Sequence, residues 1–219
     1  MIHTGVVITS RMEWEELLKI YNIVQSKIEK YPYGEYFIIN IYNNDVLFYR
    51  CAGRKVTAAA STQYMIDKFS LQKVVHIGSA TAVSDKVEYG DIIIPTLVAE
   101  YDLTIKEIEP LIKESTVIEL DPVRVSMDYL DGLLGTSDKS LVTKNDYMMV
   151  KETSMLASDT ESAAIAKVCK INDIDIIIIK GISDRPSTNG KYEEQYDVYE
   201  EYAPIIIKNI VEDYLLEVI

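Results

Sequence analysis

Four consecutive isoleucines at positions 176–179 constrain the fold of this chain more than any other feature of its sequence. Such a run predicts a strand that is covered on both faces, because a strand with one face in water alternates apolar and polar residues. Strands of this kind occur in α/β sheets, where reactive groups gather beyond the carboxyl ends of the strands. Ser183 and Asp184 fall at that end. Asp184 is therefore the first candidate for a functional residue.

A second carboxylate, Glu161, stands at the start of a predicted amphipathic helix that precedes the isoleucine strand. Apolar residues recur after it at helical spacing and would form one buried face: Ala164, Ile165, Val168 and Cys169. The helix and the strand would pack against each other. Glu161 and Asp184 would then lie at neighbouring ends of packed elements.

Strands and helices alternate along the chain. The apolar patterns predict strands near residues 5–8, 36–42, 46–51, 73–77, 90–95 and 130–134, and helices near 12–30, 55–69 and 198–216. Residues 101–128 favour no element. The alternation predicts an α/β fold, a three-layer α/β/α sandwich around a central mixed, largely parallel sheet. No Pro/Gly/Ser-rich linker divides the sequence, which predicts one domain over residues 1–219.

Charge and hydropathy limit the partners of the chain. The formal net charge of -13 would repel nucleic-acid backbones and suits small neutral or cationic ligands. The apolar runs are far shorter than the roughly 20 residues that cross a bilayer. No export signal is evident near the start. We therefore expect a soluble, cytoplasmic protein that binds a small molecule and neither nucleic acid nor a membrane.

Cysteine and histidine are scarce. Cys51 and Cys169 lie far apart in apolar contexts, which predicts reduced, buried thiols rather than a disulfide. The histidines are His3 and His76, and neither a C-x-x-C nor an H-E-x-x-H pattern occurs. These are too few ligands for a transition-metal site, so we predict no metal.

Short motifs spread over nearly the whole chain carry a family resemblance. In chain order they are Gly5-Val6-Val7-Ile8, Met12-Glu13-Trp14-Glu15, Gly78-Ser79-Ala80, Val87-Glu88-Tyr89-Gly90-Asp91, Glu161-Ser162-Ala163-Ala164 and Ile182-Ser183-Asp184. Together they resemble the nucleoside phosphorylase and nucleosidase superfamily, and most closely the 5'-methylthioadenosine/S-adenosylhomocysteine nucleosidases. The resemblance implies a homodimer without a cofactor that cleaves the N-glycosidic bond of an adenine nucleoside with water, as in methionine salvage.

The resemblance also implies roles for three acidic residues. Asp184 would protonate or hydrogen-bond N7 of the purine as the general acid. Glu15 would orient and deprotonate the attacking water. Glu13 or Glu16 could be the aligned residue instead, because the loop before the motif is longer than the family pattern leads us to expect. Glu161 would bind the ribose hydroxyls more strongly as positive charge builds on the ring.

Smaller side chains would complete the predicted site. By the same resemblance, Ser79 and Ala80 would line the nucleophile and ribose side, and Ser183 would help to hold the general acid. Leu141 and Val142 are candidate apolar walls for the base, although generic core positions would explain them equally well.

Two positions depart from the family pattern beside the sugar. Thr160 stands where these enzymes usually carry a methionine, and Asp159 stands where a glutamate is usual. A threonine removes apolar surface and adds a hydroxyl, so the sugar contact is altered. The segment after Tyr101 matches poorly, which leaves the 5'-substituent open. A nucleoside-binding protein without turnover is one alternative.

Phosphate as the nucleophile is the other main alternative, because a phosphate dianion needs cationic groups to hold it. Arg11, Arg54 and His76 are the candidates for such a site. Arginines at loop and helix starts are usually solvated, and a lone histidine on a strand is usually a core residue. The Gly-Ser-Ala and Met-Glu-x-Glu motifs favour water. The same arginines could instead bind the 5'-phosphate of a nucleotide, which would make the protein a nucleotide N-glycosidase.

Overall fold

The computed structural model describes residues 2–102, 117–186 and 192–219. Within these residues, eleven strands form one sheet. The strands are β1 (Thr4–Ile8), β2 (Glu29–Tyr31), β3 (Gly34–Ile41), β4 (Asn44–Cys51), β5 (Lys73–Ala82), β6 (Ile92–Ile93), β7 (Leu97–Glu100), β8 (Val117–Glu119), β9 (Leu133–Thr136), β10 (Met155–Asp159) and β11 (Asp175–Asp184). None of the helices in this part of the chain is long and apolar enough to cross a membrane.

Six α-helices flank the described sheet. They are α1 (Arg11–Ile20), α2 (Lys55–Phe69), α3 (Lys144–Val150), α4 (Ser162–Ile171), α5 (Tyr192–Asn209) and α6 (Leu216–Val218). A short 3-10 helix covers Gln25–Lys27, and a π-helical segment over Ile210–Leu215 joins α5 to α6.

The centre of the sheet is parallel. β4, β1, β5 and β11 run side by side in one direction, and antiparallel pairs occur towards the edges, as in the hairpin of β3 and β4. The end of β5 also pairs with β10, which continues the sheet through β9 and β7 to β8. The sheet is therefore mixed with a largely parallel centre, which confirms the predicted fold class.

Buried residues separate into a layer on each face of the sheet. One cluster joins α2 and α4 to the strands and includes Met65, Ile165 and Ile178. The other joins α1 and α5 to the opposite face and includes Leu17 and Ile207. This arrangement is the three-layer sandwich that the alternation of strands and helices predicted.

The isoleucine strand is β11, and both of its faces are covered as predicted. Ile178 belongs to the first buried cluster and Ile179 to the second. Its register with β5 places Gly181 opposite Ser79. The register then shifts by one residue, so that Asp184 opposes Thr81. This bulge brings both strand ends to the same place at the carboxyl edge of the sheet.

Several predicted boundaries are confirmed and others are wrong. The helix over Lys55–Phe69 is confirmed, as are the two strands predicted near 36–42 and 46–51, which pair as the hairpin of β3 and β4. The first helix ends at Ile20 rather than near 30, because Asn22 adopts a left-handed backbone conformation with φ 51°. The last helix begins at Tyr192 and continues through Pro204, where buried residues hold it against the sheet.

Two further predictions concern β5 and the thiols. The predicted strand near 73–77 is longer than expected, because β5 continues through Gly78 to Ala82, where β11 pairs with it along that length. Cys51 and Cys169 are both buried and free, as predicted. The predicted strand at 130–134 is observed as β9, two to three residues later.

Candidate active site

A cavity of about 420 Å³ opens at the carboxyl ends of β5 and β11. That volume suits a drug-sized or nucleoside-sized ligand. Its walls come from the start of α1 (9–13), the loop before α2 (53–54), β5 (79–81), the segment after β9 (140–142), the end of β10 and the residues after it (158–161), the end of β11 (183–184) and α5 (195, 196 and 199). Parallel strands thus bring residues that are distant in sequence to one edge of the sheet.

Asp184 lies at the base of this cavity and is only 5% exposed. Its carboxylate accepts hydrogen bonds from Thr81 Oγ1 at 3.0 Å, from the hydroxyl of Ser183 and from the side-chain amide of Gln195. Burial raises the pKa of Asp184, and these three hydrogen bonds act in the opposite direction. The net shift is upward, so the group retains a proton more readily than an exposed aspartate.

Glu13 is the acidic residue of α1 that reaches the cavity. Ser10 caps the helix, and Glu13 follows in the first turn, where it is 2% exposed. Glu13 Oε1 accepts hydrogen bonds from the backbone N–H of Ser79 at 2.9 Å and from the Ser79 hydroxyl. Burial raises the pKa of Glu13, while the nearby charge of Lys180 lowers it by a smaller amount. The carboxylate is therefore a candidate base held against β5.

The prediction that Glu15 lines the site is wrong. Its side chain is 54% exposed and pairs with Arg11 Nε at 2.8 Å, outside the cavity. Two helical residues turn the side chain by about 200°, so Glu13 and Glu15 face opposite sides. Glu16, the other alternative, pairs with Lys19 at 2.8 Å and does not line the cavity either.

Lys180 is the buried cation of the site. It is 1% exposed, and its Nζ lies 3.2 Å from Asp159 Oδ2 and 3.1 Å from His76 Nε2. His76 Nδ1 lies 3.1 Å from Ser162 Oγ, whose hydroxyl donates to Asp159. An ammonium only donates, so His76 Nε2 accepts and Nδ1 carries the hydrogen. The four side chains form a closed ring of three hydrogen bonds and one ion pair beside the cavity.

The charges of this ring follow from its contacts. Burial, followed by the positive charge of Lys180, holds the pKa of His76 well below its ordinary value, so the imidazole is neutral. Burial alone would raise the pKa of Asp159, but the charge of Lys180 and the hydrogen bonds from the hydroxyls of Ser162 and Thr136 hold it below its usual value. Asp159 is therefore ionised and paired with the lysine.

One group of side chains in the described part of the chain has the spacing of a metal site. His76, Asp159 and Glu161 each place one ligand atom within 4.8 Å of the others. The ammonium of Lys180 already contacts two of these residues. A divalent cation would have to displace that buried positive charge, so the lysine fills the role that a metal would have here.

Glu161 occupies the N-cap position of α4, is 6% exposed, and directs its side chain to other partners than the helix. Its Oε1 accepts a hydrogen bond from the backbone N–H of Arg54 at 3.0 Å and another from the hydroxyl of Thr160. A Cβ on Gly53 would lie 2.7 Å from the same oxygen. The loop can therefore approach the carboxyl group of Glu161 this closely only because residue 53 is a glycine. Burial and then the charge of Asp159 raise the pKa of Glu161.

The remaining predicted residues separate into those on the cavity wall and those away from it. On the wall are Ser79, Ala80, Leu141, Val142, Asp159, Thr160, Ser183, Arg11 and Arg54. His76 lies beneath the wall and is fully buried. The side chain of Arg11 is 82% exposed. The guanidinium of Arg54 donates to the carbonyl of Asp138 and to Ser140.

Sequence reasoning missed Lys180, Thr81, Gln195 and Tyr199. Lys180 did leave a signal, since it is a charged residue that directly follows four isoleucines of a strand predicted to be buried on both faces. Identifying Thr81 required the register of β5 with β11. Identifying Gln195 and Tyr199 required the position of α5. Tyr199 pairs with the Ser10 hydroxyl at the start of α1, so it joins two parts of the wall.

Known proteins resemble this chain over most of its length. The family model described as "Phosphorylase superfamily" matches residues 5–212. A 5'-methylthioadenosine/S-adenosylhomocysteine nucleosidase of Buchnera aphidicola is 27% identical over 231 residues, which cover 95% of this chain and 98% of the relative.

Solved structures share the fold at low sequence identity. The S-adenosylhomocysteine nucleosidase of Streptococcus pyogenes, in complex with 5-methylthiotubericidin, gives a TM-score of 0.81 at 15% identity and covers 100% of this chain and 98% of its own. The 5'-methylthioadenosine/S-adenosylhomocysteine nucleosidase of S. pneumoniae, with a transition-state inhibitor, gives 0.79 at 18% identity and covers 96% of each chain.

Proposed function

Because the chain belongs to the phosphorylase superfamily, we propose that it hydrolyses the N-glycosidic bond of an adenine nucleoside of the 5'-methylthioadenosine or S-adenosylhomocysteine type. The observation that carries the proposal is that four buried carboxyl groups line one cavity of nucleoside size, and that those of Glu13, Glu161 and Asp184 remain for chemistry while Asp159 is paired with Lys180. Buried acids are costly unless they are used, and N-glycosidic cleavage needs an acid, a base and a partner for the sugar.

The leaving group is the task of Asp184. Purine is a poor leaving group as an anion and a good one when N7 is protonated. Burial raises the pKa of Asp184, which favours the protonated form that this step requires. As the bond between C1' and N9 breaks, the proton of Asp184 passes to N7, and the base departs neutral.

Glu13 would activate the nucleophile. A water held by its carboxylate attacks C1' of the ribosyl cation and gives its proton to Glu13 as the new C–O bond forms. The hydrogen bonds from Ser79 fix one oxygen of Glu13 and leave the other facing Gly78. Lys180 keeps the carboxylate in place by its charge.

Glu161 would hold the sugar hydroxyls. One of its oxygens is anchored by the backbone of Arg54 and the hydroxyl of Thr160. A carboxylate beside the ribose interacts more strongly as positive charge grows on the ring, which lowers the barrier rather than merely tightening binding. The hydroxyl of Thr160 therefore serves Glu161 in place of the apolar contact that the family pattern would supply.

Water is favoured over phosphate by the charges of the cavity wall. Arg11 is paired with Glu15 and largely exposed, and Arg54 binds a backbone carbonyl. Lys180 is engaged by Asp159 beneath the wall. Among the residues that the structure describes, a phosphate dianion would therefore face buried carboxyl groups and find no dedicated cation to hold it.

The test is release of free base from 5'-methylthioadenosine, S-adenosylhomocysteine, adenosine and inosine, each with and without phosphate, followed by chromatography. We expect adenine release that needs no phosphate. Asp184→Asn serves as the control, since it cannot supply the proton and should lose activity about 100-fold or more while it folds normally. Strict dependence on phosphate would make the protein a phosphorylase. Absence of any base release, or near-native turnover by Asp184→Asn, would overturn the proposed function or the proposed acid.

We further propose that the protein is a cytoplasmic homodimer and that it acts in methionine salvage. Residues 1–219 would form one domain. The resemblance in sequence to the nucleosidases supports these parts. Light scattering after size-exclusion chromatography measures the oligomeric state directly.

A further inference from the structure

Arg54, on the wall of the cavity, has a backbone conformation that residues with a side chain rarely adopt. Its φ is 84° and its ψ is 152°, at the position just before the first turn of α2. This region of backbone space is essentially reserved for glycine, because a Cβ crowds the backbone there. The residue is exposed, so burial does not hold it in place. The conformation is therefore maintained by specific contacts.

The backbone N–H of Arg54 makes the first of these contacts. It donates to Glu161 Oε1 at 3.0 Å, and the hydroxyl of Thr160 donates to the same oxygen. The direction of this N–H relative to α2 depends on the φ of Arg54, because the peptide group before the residue is planar and turns as a unit. A return to a negative φ would turn the N–H away from Glu161.

The guanidinium of Arg54 holds the residue from the other side. It donates to the backbone carbonyl of Asp138 and to Ser140 Oγ, the latter at 3.3 Å. Both acceptors belong to the segment after β9, and Ser140 lines the cavity. The arginine thus ties the loop before α2 to another part of the cavity wall.

Lys55 fixes the start of α2 directly after the strained residue. Its backbone N–H donates to Asp138 Oδ1 at 2.9 Å. Its ammonium pairs with Glu100 at 3.0 Å and with Asp102 at 2.7 Å, and the lysine side chain is only 13% exposed. The helix cannot shift to relieve the strain at Arg54 without breaking these contacts.

Glycine would adopt this conformation freely, yet the chain carries an arginine here. Strain that neighbouring contacts maintain occurs mainly where a functional geometry depends on it. The geometry in question is that of Glu161, the carboxyl group proposed to bind the sugar hydroxyls. Both donors in this part of the wall bond its Oε1, so Oε2 takes no part in these two contacts.

We propose that Arg54 is a positioning residue for sugar binding: its guanidinium holds its own backbone at positive φ, and that backbone directs its N–H onto Glu161. This inference rests on the proposed function and adds a residue that acts through Glu161. A carboxyl group that is already fixed in place need not be ordered when the sugar binds, and it stabilises the positive charge of the transition state from the correct position.

Alanine and glycine at position 54 separate this role from others. Arg54→Ala retains a Cβ but lacks the guanidinium, so the backbone relaxes to a negative φ and Glu161 loses a donor. Arg54→Gly lacks the guanidinium as well, but glycine accommodates positive φ without strain and keeps the N–H in place. An arginine whose guanidinium itself bound the substrate would lose the same contact in both variants.

The experiment measures kcat/KM with the best nucleoside of the substrate panel and with its 2',3'-dideoxy analogue, which lacks the hydroxyls that Glu161 would bind. We expect Arg54→Ala to lower the value for the nucleoside by about ten- to 100-fold, and its ratio to the value for the analogue by about tenfold. Arg54→Gly should stay within about threefold of the wild type in both quantities. A general change in cavity shape would slow both substrates and leave the ratio unchanged.

Ser70 provides a matched control at the other end of α2. It is exposed and has φ 54°. Urea unfolding should show Ser70→Gly to be more stable than Ser70→Ala, and Arg54→Gly more stable than Arg54→Ala, because glycine relieves the strain in each pair. Neither Ser70 variant should change the ratio between the two substrates.

Equal substrate ratios in Arg54→Ala and Arg54→Gly would overturn the inference and leave the proposed hydrolysis intact. If Arg54→Ala does not fold, Arg54→Met keeps the aliphatic part of the side chain and takes its place with the same expectation. If no protein cleaves either substrate, the proposed function fails, and calorimetric binding of the same two compounds then tests Arg54. A preference for the hydroxylated compound that Arg54→Ala loses and Arg54→Gly retains supports the inference, whereas the same preference in both variants contradicts it.

Discussion

Glu13 and Glu15 lie two positions apart on α1, and their surroundings differ completely. Glu13 is buried against Ser79, whereas Glu15 is exposed beside Arg11. The sequence alone offers both as the base, because each is a glutamate in the first turns of an amphipathic helix. The two side chains leave the helix on opposite sides. Substitutions of Glu13 and Glu15 can therefore be compared as a test and its control.

We expect Glu13→Gln to lower kcat by about 100- to 10,000-fold, since a general base contributes that much and an amide cannot accept the proton of water. Glu15→Gln makes the same chemical change on the same helix. Its kcat should stay within about twofold of the wild type, because the ion pair it removes is exposed. Steady-state kinetics with the best nucleoside found in the substrate panel measures both. Equal losses in the two variants would contradict the assignment.

At the scale of secondary-structure elements, β5 supplies the floor of the site through one unusual residue. Gly78 has φ +151° within the strand, and a Cβ there would lie 2.8 Å from Glu13 Oε2 and 3.4 Å from Lys180 Nζ. The strand thus approaches a buried carboxylate and its cation only because it lacks a side chain at this point. Gly90 has φ +86°, and a Cβ added there would meet no atom of the described chain within 4 Å, so it isolates the effect of backbone strain.

Gly78→Ala should therefore lower kcat by about 100-fold or more and destabilise the fold by about 1–3 kcal/mol, because the methyl group displaces Glu13 and strains the backbone. Gly90→Ala should destabilise the fold by a similar amount and leave kcat unchanged. Chemical unfolding and kinetics on both variants give the two quantities. A normal kcat in Gly78→Ala would show that Glu13 does not need the position it has in this structure.

At the scale of the whole molecule, the net charge of -13 and the buried acids both make the folded chain less stable as pH rises. The pKa values of Glu13, Glu161 and Asp184 are raised mainly by burial, so the folded chain binds their protons more tightly than the unfolded chain does. Stability is then lost as pH rises through that window. Asp146 and Asp159 have lowered pKa values and act only below about pH 4, where falling pH removes their contribution.

His76 acts in the opposite direction, because its lowered pKa removes stability as pH falls below about 6.5. The three acids outnumber it, so we expect the free energy of unfolding to be larger near pH 5 than near pH 8. Glu13→Gln removes one of the responsible groups and should flatten this slope. Urea unfolding at the two pH values tests this. A wild-type protein that gains stability between about pH 5 and pH 8 would contradict the sign derived from these shifts.

Features that depend on one short segment were predicted from the sequence, whereas features that depend on contacts between distant segments were not. The helix Lys55–Phe69 was predicted to the residue, because its apolar spacing and its ends are properties of one segment. Asp184 follows from the isoleucine strand that carries it. The choice between Glu13 and Glu15 needed the helix to be placed on the sheet, and Gln195 needed α5 to be placed over β11. Neither position can be predicted from the residues that neighbour it in the sequence.

The one-residue shift between β5 and β11 has a consequence for how such a chain changes over generations. Asp184 opposes Thr81, whose hydroxyl holds it, only because β11 carries one residue more than its partner at that point. If the two strands paired residue for residue instead, Asp184 would oppose Ala82, whose methyl group offers no hydrogen bond. A descendant could in this way keep every signature residue and the entire core, yet be inert. Residue identity alone is thus a poor guide to which relatives retain the activity, and the register of these two strands is the feature to compare.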